Sequence, residues 1–419
     1  MSRLASALGC LIAMLTVPTA AVAQAAPSRD HVPDEVLVSF KRGADAGAAT
    51  RAVGARLYGA IDGLGVHILK VQPGSVDWTV RVLSRNPQVE FAEPNGYLKA
   101  FADPNDPYDN TSCYTTSSGD CVTQWNWAKV NAYAAWDVTT GSSSVRVAVV
   151  DTGIDVGDTA YAFPDYTGHE DLVSCQTPII TSFVSGESGN DDNGHGTHLA
   201  GIIGACTNNG IGVAGANWHV QLMGVKVLDY SGSGTLSAVA SGIRWSADHG
   251  AKVINLSLGT TTRSRTLERA VNYAWNKGAV LACAAGNDGT TQKNYPAAYT
   301  NCIAVAATDA TDARAWFSNY DAGWVDVAAP GEEILSTMQD QFDWCFLCYF
   351  YGVLERYDAL SGTSMATPHV AGLAALIWAR GQCTTNVCVR NKIEATADAV
   401  PGTGTYWKYG RVNYGNAVN

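Results

Sequence analysis

The chain has 419 residues, of which 47% are hydrophobic and 16% charged, so it can bury a large core and is neither a disordered nor a fibrous protein. Its formal net charge is −11, and all of the acidic excess lies after residue 100. Such a body argues against nucleic acid or anionic lipid as a partner, and it suits solubility outside a cell and hard cations such as calcium.

The N-terminus has the organisation of a secretory signal peptide. Residues 1–3 are a short basic start, residues 4–17 are mostly apolar, and residues 21–23 form a small-x-small cleavage site. We therefore expect residues 1–23 to be a signal peptide and the protein to be secreted. No membrane span is expected, because no stretch reaches the roughly 18 apolar residues that a span needs. A lipid anchor at Cys10 is the alternative.

A small domain is predicted over residues 28–99. The pattern indicates, in order, a strand, a helix, a strand, a helix and a strand, at residues 35–40, 44–53, 65–71, 77–85 and 89–94. This order suits a βαββαβ sheet with two helices, which is a small α+β domain. Residues 99–112 hold two prolines and no apolar period, so they are predicted to be a linker. The larger domain is expected over residues 103–419.

From about residue 125, strand patterns alternate with helix patterns. The strand candidates are residues 144–150, 221–228, 251–258, 278–284 and 302–307, and the helix candidates are residues 198–205, 236–249 and 267–277. This alternation predicts an α/β fold with a mostly parallel central sheet and helices on both faces. Chemistry in such a fold collects at the carboxyl ends of the strands.

Ten of the eleven cysteines follow residue 100, and an even number after a secretory signal favours disulfides. Sequence alone does not fix the connectivity. Short separations suggest two pairs and longer ones suggest two more: Cys113–Cys121, Cys383–Cys388, Cys175–Cys206 and Cys283–Cys302. For Cys345 and Cys348 the alternatives are a redox pair, half of a zinc site, a structural bridge or two inert thiols. No second CxxC or nearby His completes a metal cage.

Three residues in separate motifs fit one chemical logic. Asp151 ends the first buried strand of the larger domain, His195 lies between two glycines before an apolar helix, and Ser364 precedes a strongly apolar helix. Taken singly, they are ordinarily a turn residue, a structural histidine and a helix N-cap. Taken together, a histidine base activates the serine hydroxyl and an aspartate orients the histidine, in the chain order Asp, His, Ser.

A developing oxyanion also has candidate donors. The helix N-terminus at Ser364 carries positive potential, and Asn287 follows a strand where its side-chain amide can donate. A turn residue is the plainer interpretation of Asn287.

The motifs that hold these residues resemble those of the subtilases, the subtilisin-like serine peptidases, and are most similar to their thermitase-like branch. They are Val-Val-Asp-Thr-Gly-Ile, His-Gly-Thr-His-Leu-Ala-Gly, Ala-Ala-Gly-Asn-Asp-Gly and Gly-Thr-Ser-Met-Ala-Thr-Pro-His-Val-Ala-Gly. The similarity runs from about residue 104 to 418. It implies a subtilisin-like fold with Asp151, His195 and Ser364 as the triad, Asn287 in the oxyanion hole and His198 at a structural position.

The resemblance also implies that residues 28–99 are a propeptide, which acts as an intramolecular chaperone and inhibitor. We expect a self-processing proenzyme cut between residues 97 and 103, with Phe101–Ala102 as a guess at the bond. Compared with compact family members, the loop between Asp151 and His195 and the segment 330–364 are both longer. In the second, the aromatic residues 342–351 are hypothesised to form a lip on the leaving-group side, with a hydrophobic cluster under a long loop as the alternative.

The resemblance further implies a groove in which an extended substrate pairs with two backbone edges. The alternative is that these segments are only Gly-rich turns. The two edges are Gly232, Ser233 and Gly234, and Ser257, Leu258 and Gly259. One wall of the pocket for the residue before the scissile bond is formed by Ala284, Ala285 and Gly286. Since these three are small and none is acidic, we expect large apolar or aromatic residues to be preferred.

Calcium is the cofactor that the resemblance implies. The expected ligands are three side chains and two backbone carbonyls, from Asp106, Asp171, Asn209, Ile211 and Val213. Hard oxygen ligands from distant segments suit calcium, and unrelated surface acids are the alternative. Asp165, Asp191 and Asp192 are expected to lie in a solvated loop, with a second weak cation site as the alternative.

The sequence therefore predicts a secreted, calcium-stabilised serine endopeptidase that works through an acyl-enzyme. We expect protein or peptide substrates, the chain's own propeptide as an inhibitor, no nucleic-acid partner and a monomer. A lipase or esterase would need the second glycine of a Gly-x-Ser-x-Gly elbow, which the Ser364 motif lacks, and a different triad order. A peptide-binding pseudoenzyme would need a broken triad, and all of its members are present.

Overall fold

Two units of unequal size make up the chain, residues 1–100 and 101–419. The structure is a computed structural model, and it describes residues 31–61, 63–96, 103–109, 112–116, 119–157, 168–339 and 356–419. Several predictions fall outside the described residues: the signal peptide, the anchor alternative at Cys10, the Phe101–Ala102 cut, Asp165, and the aromatic segment with Cys345 and Cys348.

The first unit has the predicted βαββαβ order. Its elements are β1 (His31–Phe40), α1 (Ala46–Ala52), β2 (Arg56–Ile61), β3 (Val66–Lys70), α2 (Val76–Leu83) and β4 (Val89–Gly96). The strands form one antiparallel sheet in the order β2-β3-β1-β4. Alternate residues of β1 and β3, such as Val36, Val38 and Leu69, pack with Leu83 of α2 in a small core. Strand β2 lies at the sheet edge and most of its side chains are exposed.

The second unit contains the remaining elements. Its strands are β5 (Tyr114–Thr115), β6 (Cys121–Val122), β7 (Gly141–Asp151), β8 (Ile179–Ser182), β9 (His219–Lys226), β10 (Val253–Leu256), β11 (Val280–Ala284), β12 (Ile303–Thr308), β13 (Val327–Pro330), β14 (Ile334–Thr337), β15 (Tyr357–Leu360) and β16 (Gly410–Arg411). Its helices are α3 (Trp125–Lys129), α4 (Ala132–Trp136), α5 (Glu170–Val173), α6 (His195–Gly204), α7 (Leu236–Asp248), α8 (Arg265–Asn276), α9 (Thr363–Arg380), α10 (Asn386–Ala395) and α11 (Tyr414–Val418).

An eight-stranded parallel sheet forms the centre of this unit, in the order β16-β13-β12-β11-β10-β7-β9-β8. Successive residues of β7 point to opposite faces, and both faces are covered. Val147 and Val149 belong to one buried cluster, with α6 and α9, whereas Ala148 and Val150 belong to the other, with α7 and α8. This two-sided burial accounts for the continuous apolar run of the strand. The predicted α/β fold class is confirmed.

Each of the four suggested cysteine pairs is a disulfide: Cys113–Cys121, Cys175–Cys206, Cys283–Cys302 and Cys383–Cys388. Their Cα–Cα distances lie between 5.3 and 6.0 Å, within the usual range for such bridges. Across the described ranges, no helix is long and apolar enough to cross a membrane.

The predicted linker is wrong for the residues that follow position 103. Asp106 and Asp109 are buried in the second unit. The Asp106 carboxylate accepts hydrogen bonds from the backbone N–H groups of Asn208 and Asn209, at 2.7 and 3.3 Å. The polar composition that indicated a linker therefore belongs to a segment fixed by carboxylate contacts.

Candidate active site

Asp151 and His195 are brought together by the end of β7 and the start of α6. His195 Nδ1 lies 2.6 Å from Asp151 Oδ1, and the Thr152 backbone N–H donates to the same oxygen at 2.9 Å. Because a carboxylate only accepts hydrogen bonds, Nδ1 carries the ring proton and Nε2 is left as the base. Gly196 is required here, since a methyl group built on it would lie 2.1 Å from the Gly153 carbonyl oxygen.

The charge state of His195 is set by two opposing effects. Burial lowers the pKa of its imidazole, but the charge and hydrogen bond of Asp151 together raise it by more, with a smaller contribution from Asp191. The net pKa is therefore raised. His198, one turn further along α6, differs: burial lowers its pKa to about 3, and its Nε2 lies 3.1 Å from the Asp358 carbonyl oxygen. A histidine that stays neutral and donates to the backbone has a structural role.

Ser364 lies at the second position of α9, after the N-cap residue Gly362. Its hydroxyl donates to the Ser257 carbonyl oxygen at 3.2 Å, and the Ser257 hydroxyl donates back to the Ser364 carbonyl oxygen at 2.9 Å. Ser364 is therefore not the N-cap of the helix. Among the described residues, no hydrogen bond joins Ser364 to His195, although His195 and Ser257 line the same cleft.

Asn287 is held by the start of α9. Its Oδ1 accepts from the Thr363 backbone N–H at 2.9 Å and from the Thr363 hydroxyl at 2.8 Å, which turns the amide nitrogen away from Thr363. A methyl group built on Gly362 would lie 3.4 Å from Asn287 Nδ2 and 3.5 Å from the Ser364 backbone N. These two donors therefore border the same small space, as a pair of oxyanion donors must.

A cleft of about 500 Å³ begins at His195. All six residues of the two predicted substrate edges line it, as do several apolar side chains. The apolar residues are Leu228, Leu236, Val239, Leu258 and Leu267. Ala284, Ala285 and Gly286 are not among its lining residues.

Asn294 is a site residue that sequence reasoning missed. Methyl groups built on Gly259 and Gly286 would lie 2.4 and 2.9 Å from its Nδ2, so its amide fills the space between one substrate edge and the predicted pocket wall. The peptide bond between the next two residues, Tyr295 and Pro296, is cis. A polar asparagine before a Tyr-Pro pair has the composition of a turn, and only the fold reveals its neighbours.

The predicted calcium ligands also converge. Asp106 and Asp171 are fully buried, and Asp171 accepts from Asn209 Nδ2 at 2.8 Å and from the Val213 backbone N–H at 2.9 Å. Burial raises the pKa of Asp106, and it raises that of Asp171 to about 7 despite these hydrogen bonds, with the charge of Asp106 adding to the effect. Two buried carboxylates whose hydrogen-bond donors, among the described residues, are neutral suit a bound cation.

The oxygen atoms needed to complete such a site are also at hand. Within the described part of the chain, the carbonyl oxygens of Ile211 and Val213 accept no hydrogen bond. The same part holds no group of three or more His, Cys, Asp or Glu side chains that could bind a metal. Any cation here would therefore depend on carbonyl and amide oxygens as well as the two carboxylates.

The solvated loop predicted for Asp191 and Asp192 is wrong. Asp191 is buried, and its carboxylate accepts from the backbone N–H groups of Asn193, Gly194 and Thr197 at 2.9 to 3.1 Å. It therefore satisfies donors at the N-terminus of α6, where a negative charge is favoured. Asp192 instead pairs with a buried lysine, Lys226.

Sequence profiles match both units. Residues 142–412 match the profile described as the Subtilase family, and residues 17–95 match one described as the Fervidolysin N-terminal prodomain. The chain is 43% identical over 396 residues to a thermophilic serine proteinase of Bacillus sp. (strain AK1), covering 93% of this chain and 88% of that protein. It is 46% identical over 316 residues to thermitase of Thermoactinomyces vulgaris, covering 75% and 99%.

Solved structures are similar as well. A protease from Pseudoalteromonas arctica superposes with a TM-score of 0.62 at 30% identity, over 75% of this chain and 98% of that chain. A cold-adapted subtilisin-like serine proteinase superposes with a TM-score of 0.52 at 33% identity, over 66% and 88%.

Proposed function

The chain belongs to the subtilase family and is a subtilisin-like serine peptidase with an N-terminal prodomain, and we propose that it is an endopeptidase whose triad is Asp151, His195 and Ser364. The observation that carries the proposal is the 2.6 Å contact between His195 and a fully buried Asp151 carboxylate. This contact leaves Nε2 of His195 free to act as a base near neutral pH, because the pKa of the imidazole is raised.

Acylation begins with the Ser364 hydroxyl. In the resting geometry this hydroxyl donates to the Ser257 carbonyl, so it must turn toward His195 when a peptide carbonyl arrives. His195 takes the proton as Ser364 oxygen bonds to the peptide carbon, and Asp151 stabilises the imidazolium that forms. Return of that proton to the departing amine breaks the peptide bond and leaves an acyl-enzyme. Water, activated by the same histidine, then releases the acid and restores the serine.

The oxyanion formed in both steps is stabilised by Asn287 Nδ2 and the Ser364 backbone N–H. The two donors border one space beside Gly362. Thr363 fixes the orientation of Asn287 before substrate arrives, so little reorganisation is needed during the reaction.

Substrate is proposed to lie extended between the edges Gly232–Gly234 and Ser257–Gly259, with large apolar or aromatic residues preferred before the scissile bond. The small residues Ala284, Ala285 and Gly286 would form one wall of that pocket, and the neutral amide of Asn294 borders it. A panel of chromogenic peptides tests this preference. A higher kcat/KM for Arg or Lys at that position than for Phe or Leu would contradict it.

Calcium is proposed to bind Asp106, Asp171, Asn209 and the carbonyl oxygens of Ile211 and Val213. Bound there, it would supply the positive charge that two buried carboxylates lack and would fix the segment near residue 106 to the Asn209 loop. It has no role in the chemical steps.

Secretion, and maturation by removal of residues 28–99 as an inhibitory propeptide, complete the proposal. The supports are the signal-like pattern of residues 1–23, the disulfides and the prodomain match. The chain is expected to act as a monomer. N-terminal sequencing of protein from the medium should find a start between residues 97 and 103. A Ser364→Ala protein should remain uncut, and its normal maturation would mean that another protease performs the cleavage.

Labelling with a fluorophosphonate, combined with casein turnover, tests the catalytic assignment. The parent chain should lose casein turnover as Ser364 is labelled. Label on another serine, with turnover intact, would overturn the assignment.

A further inference from the structure

We infer that the buried ammonium group of Lys226 positions Asp151 and His195. It connects the chain that follows Asp151 to the loop that precedes His195. The inference rests on the proposed triad. Among the described residues, no hydrogen bond or ion pair joins Lys226 to the imidazole, so Lys226 would act through the backbone that carries the two residues.

Lys226 is the last residue of β9, and its side chain is fully buried. Its three N–H donors are all used: Nζ donates to the Thr152 carbonyl oxygen at 2.9 Å, the Leu228 carbonyl oxygen at 2.9 Å and Asp192 Oδ1 at 2.6 Å. Glu187 Oε2 lies 3.1 Å away as a second anionic partner. The lysine therefore has a complete set of partners, from two distant segments and from the residues that follow it in the chain.

The first of these segments carries Asp151. Asp151 and Lys226 are opposite each other in the parallel pairing of β7 and β9. Thr152, whose carbonyl oxygen Lys226 holds, donates its own N–H to Asp151 Oδ1 at 2.9 Å and accepts from the Gly196 N–H through its hydroxyl at 2.9 Å. A shift of Thr152 would therefore move both the carboxylate and the residue after His195.

The second segment, residues 187–194, leads directly into His195. Lys226 holds it at Glu187 and Asp192, and the next residue, Asn193, accepts from the His195 backbone N–H at 3.2 Å. The third segment starts at Leu228 and continues to the substrate edge at Gly232. A single ammonium group thus connects the proposed carboxylate, the proposed base and one wall of the cleft.

Stability alone does not call for a lysine at this place. Burying charges is costly, and replacing a buried ion cluster by neutral groups of similar shape is often neutral or stabilising. Donors with fixed directions do what an apolar side chain cannot, since they set the distance between three chain segments. An error of about 1 Å in such geometry can lower kcat by about 10²-fold.

The test compares two variants of the full-length chain. Lys226→Met removes the ammonium group and leaves two half-buried carboxylates without their buried partner, so both its melting temperature and its kcat should fall. The triple variant Lys226→Met, Asp192→Asn, Glu187→Gln is neutral throughout the cluster. Its melting temperature should return toward that of the parent, while its kcat per titrated active site stays about 10- to 100-fold below the parent value.

Arg411→Met is the matched control. Arg411 is also buried and paired with two carboxylates, Asp312 and Asp398, but it lies in β16 at the far edge of the sheet. The melting temperature of Arg411→Met should fall, while its kcat per active site remains within about twofold of the parent value. If the triple variant does not fold, the double variant Asp192→Asn, Glu187→Gln decides, with at least a threefold loss of kcat expected.

The pH profile separates positioning from simple charge. Asp151 and Asp191 are the charged groups that raise the pKa of His195. In Lys226→Met, displacement of Asp151 would move the acid limb of kcat/KM to lower pH, whereas loss of the positive charge alone would move it to higher pH. A kcat within twofold of the parent in the deciding variant, or an upward shift of the limb in Lys226→Met, overturns the inference. Turnover by Ser364→Ala would instead overturn the proposed triad itself.

Discussion

Two groups of buried carboxylates lie in the second unit, and they differ in the source of their counter-charge. Asp151 faces a histidine that can become cationic, and a buried lysine holds the residue next to it. Among the described residues, the Asp106 and Asp171 carboxylates accept hydrogen bonds from amide donors and the Tyr357 hydroxyl, and burial raises the pKa of both carboxyls. The first group carries its own counter-ion for the proposed reaction, whereas the second is proposed to take one from solution.

The largest expected effect is on the rate of the chemical step, with the stability of the fold unchanged. Ser364→Ala should lower kcat by about 10⁶-fold, the size of loss known for a family relative, with little change in melting temperature because the hydroxyl makes one weak contact. Casein turnover and calorimetry measure the two quantities. Ser361→Ala is the matched control, since this exposed serine on the preceding turn should leave kcat unchanged. Comparable losses in both variants would contradict the assignment.

Exchanging one carboxylate in each group sharpens the comparison. Asp151→Asn should lower kcat by about 10⁴-fold and keep the fold, because an amide favours the wrong histidine tautomer. Asp171→Asn should leave kcat within a few-fold and lower the melting temperature measured in calcium. Equal effects of the two substitutions on kcat would remove the distinction between the groups.

Asn287→Ala should lower kcat by about 10²- to 10³-fold, again a magnitude known from a family relative, with KM little changed. The substitution also removes an acceptor from Thr363, so Thr363→Val serves as the control that weakens this contact while keeping Asn287. If the Thr363 variant were as slow as the Asn287 variant, the effect would belong to the helix start rather than to the oxyanion donor.

Removal of calcium should act on stability. A ligand at about 100 times its Kd adds about 2.7 kcal/mol to the free energy of unfolding, which for a unit of this size corresponds to a fall of about 4 °C in melting temperature when EDTA is added. The Asp171→Asn variant should show no further fall. An unchanged melting temperature in the parent would argue against the site, whatever the activity.

The smallest effect is a displacement in pH. His195 must be neutral to act as a base, and its pKa is raised above the usual 6.5. Activity should therefore be lost as the pH falls through a value above 6.5, because protonation removes the base. The kcat/KM profile measures this limb, and a limb well below 6.5 would contradict the interaction of His195 with Asp151.

Long apolar runs made much of the fold predictable. Strand β7 and helix α9 bury residues on every side, so their sequences are recognisable without knowledge of their neighbours. Strand β2 was not located, although the βαββαβ order requires it, because an edge strand with exposed side chains has no clear alternation. The proposed triad was predictable because its residues stand in long motifs that resemble a known family.

Buried polar groups were harder to predict, since their partners come from distant segments. Asp191 was expected to lie in a solvated loop, and Lys226 was not singled out. A charged residue in a sequence gives no sign of the opposite charge that the fold provides. Asn294 was missed for a similar reason, since its neighbours Gly259 and Gly286 are brought to it only by the parallel sheet.

The distribution of the disulfides has a consequence for maturation. The four bridges among the described residues lie between residues 113 and 388, and residues 28–99 contain no cysteine. Once the backbone between the prodomain and the peptidase unit is cut, no sulfur linkage can tether the two pieces. In the proposed maturation, release of the severed fragment would therefore depend on non-covalent affinity and on its destruction by proteolysis, and the disulfides could stabilise the peptidase unit without holding the prodomain to it.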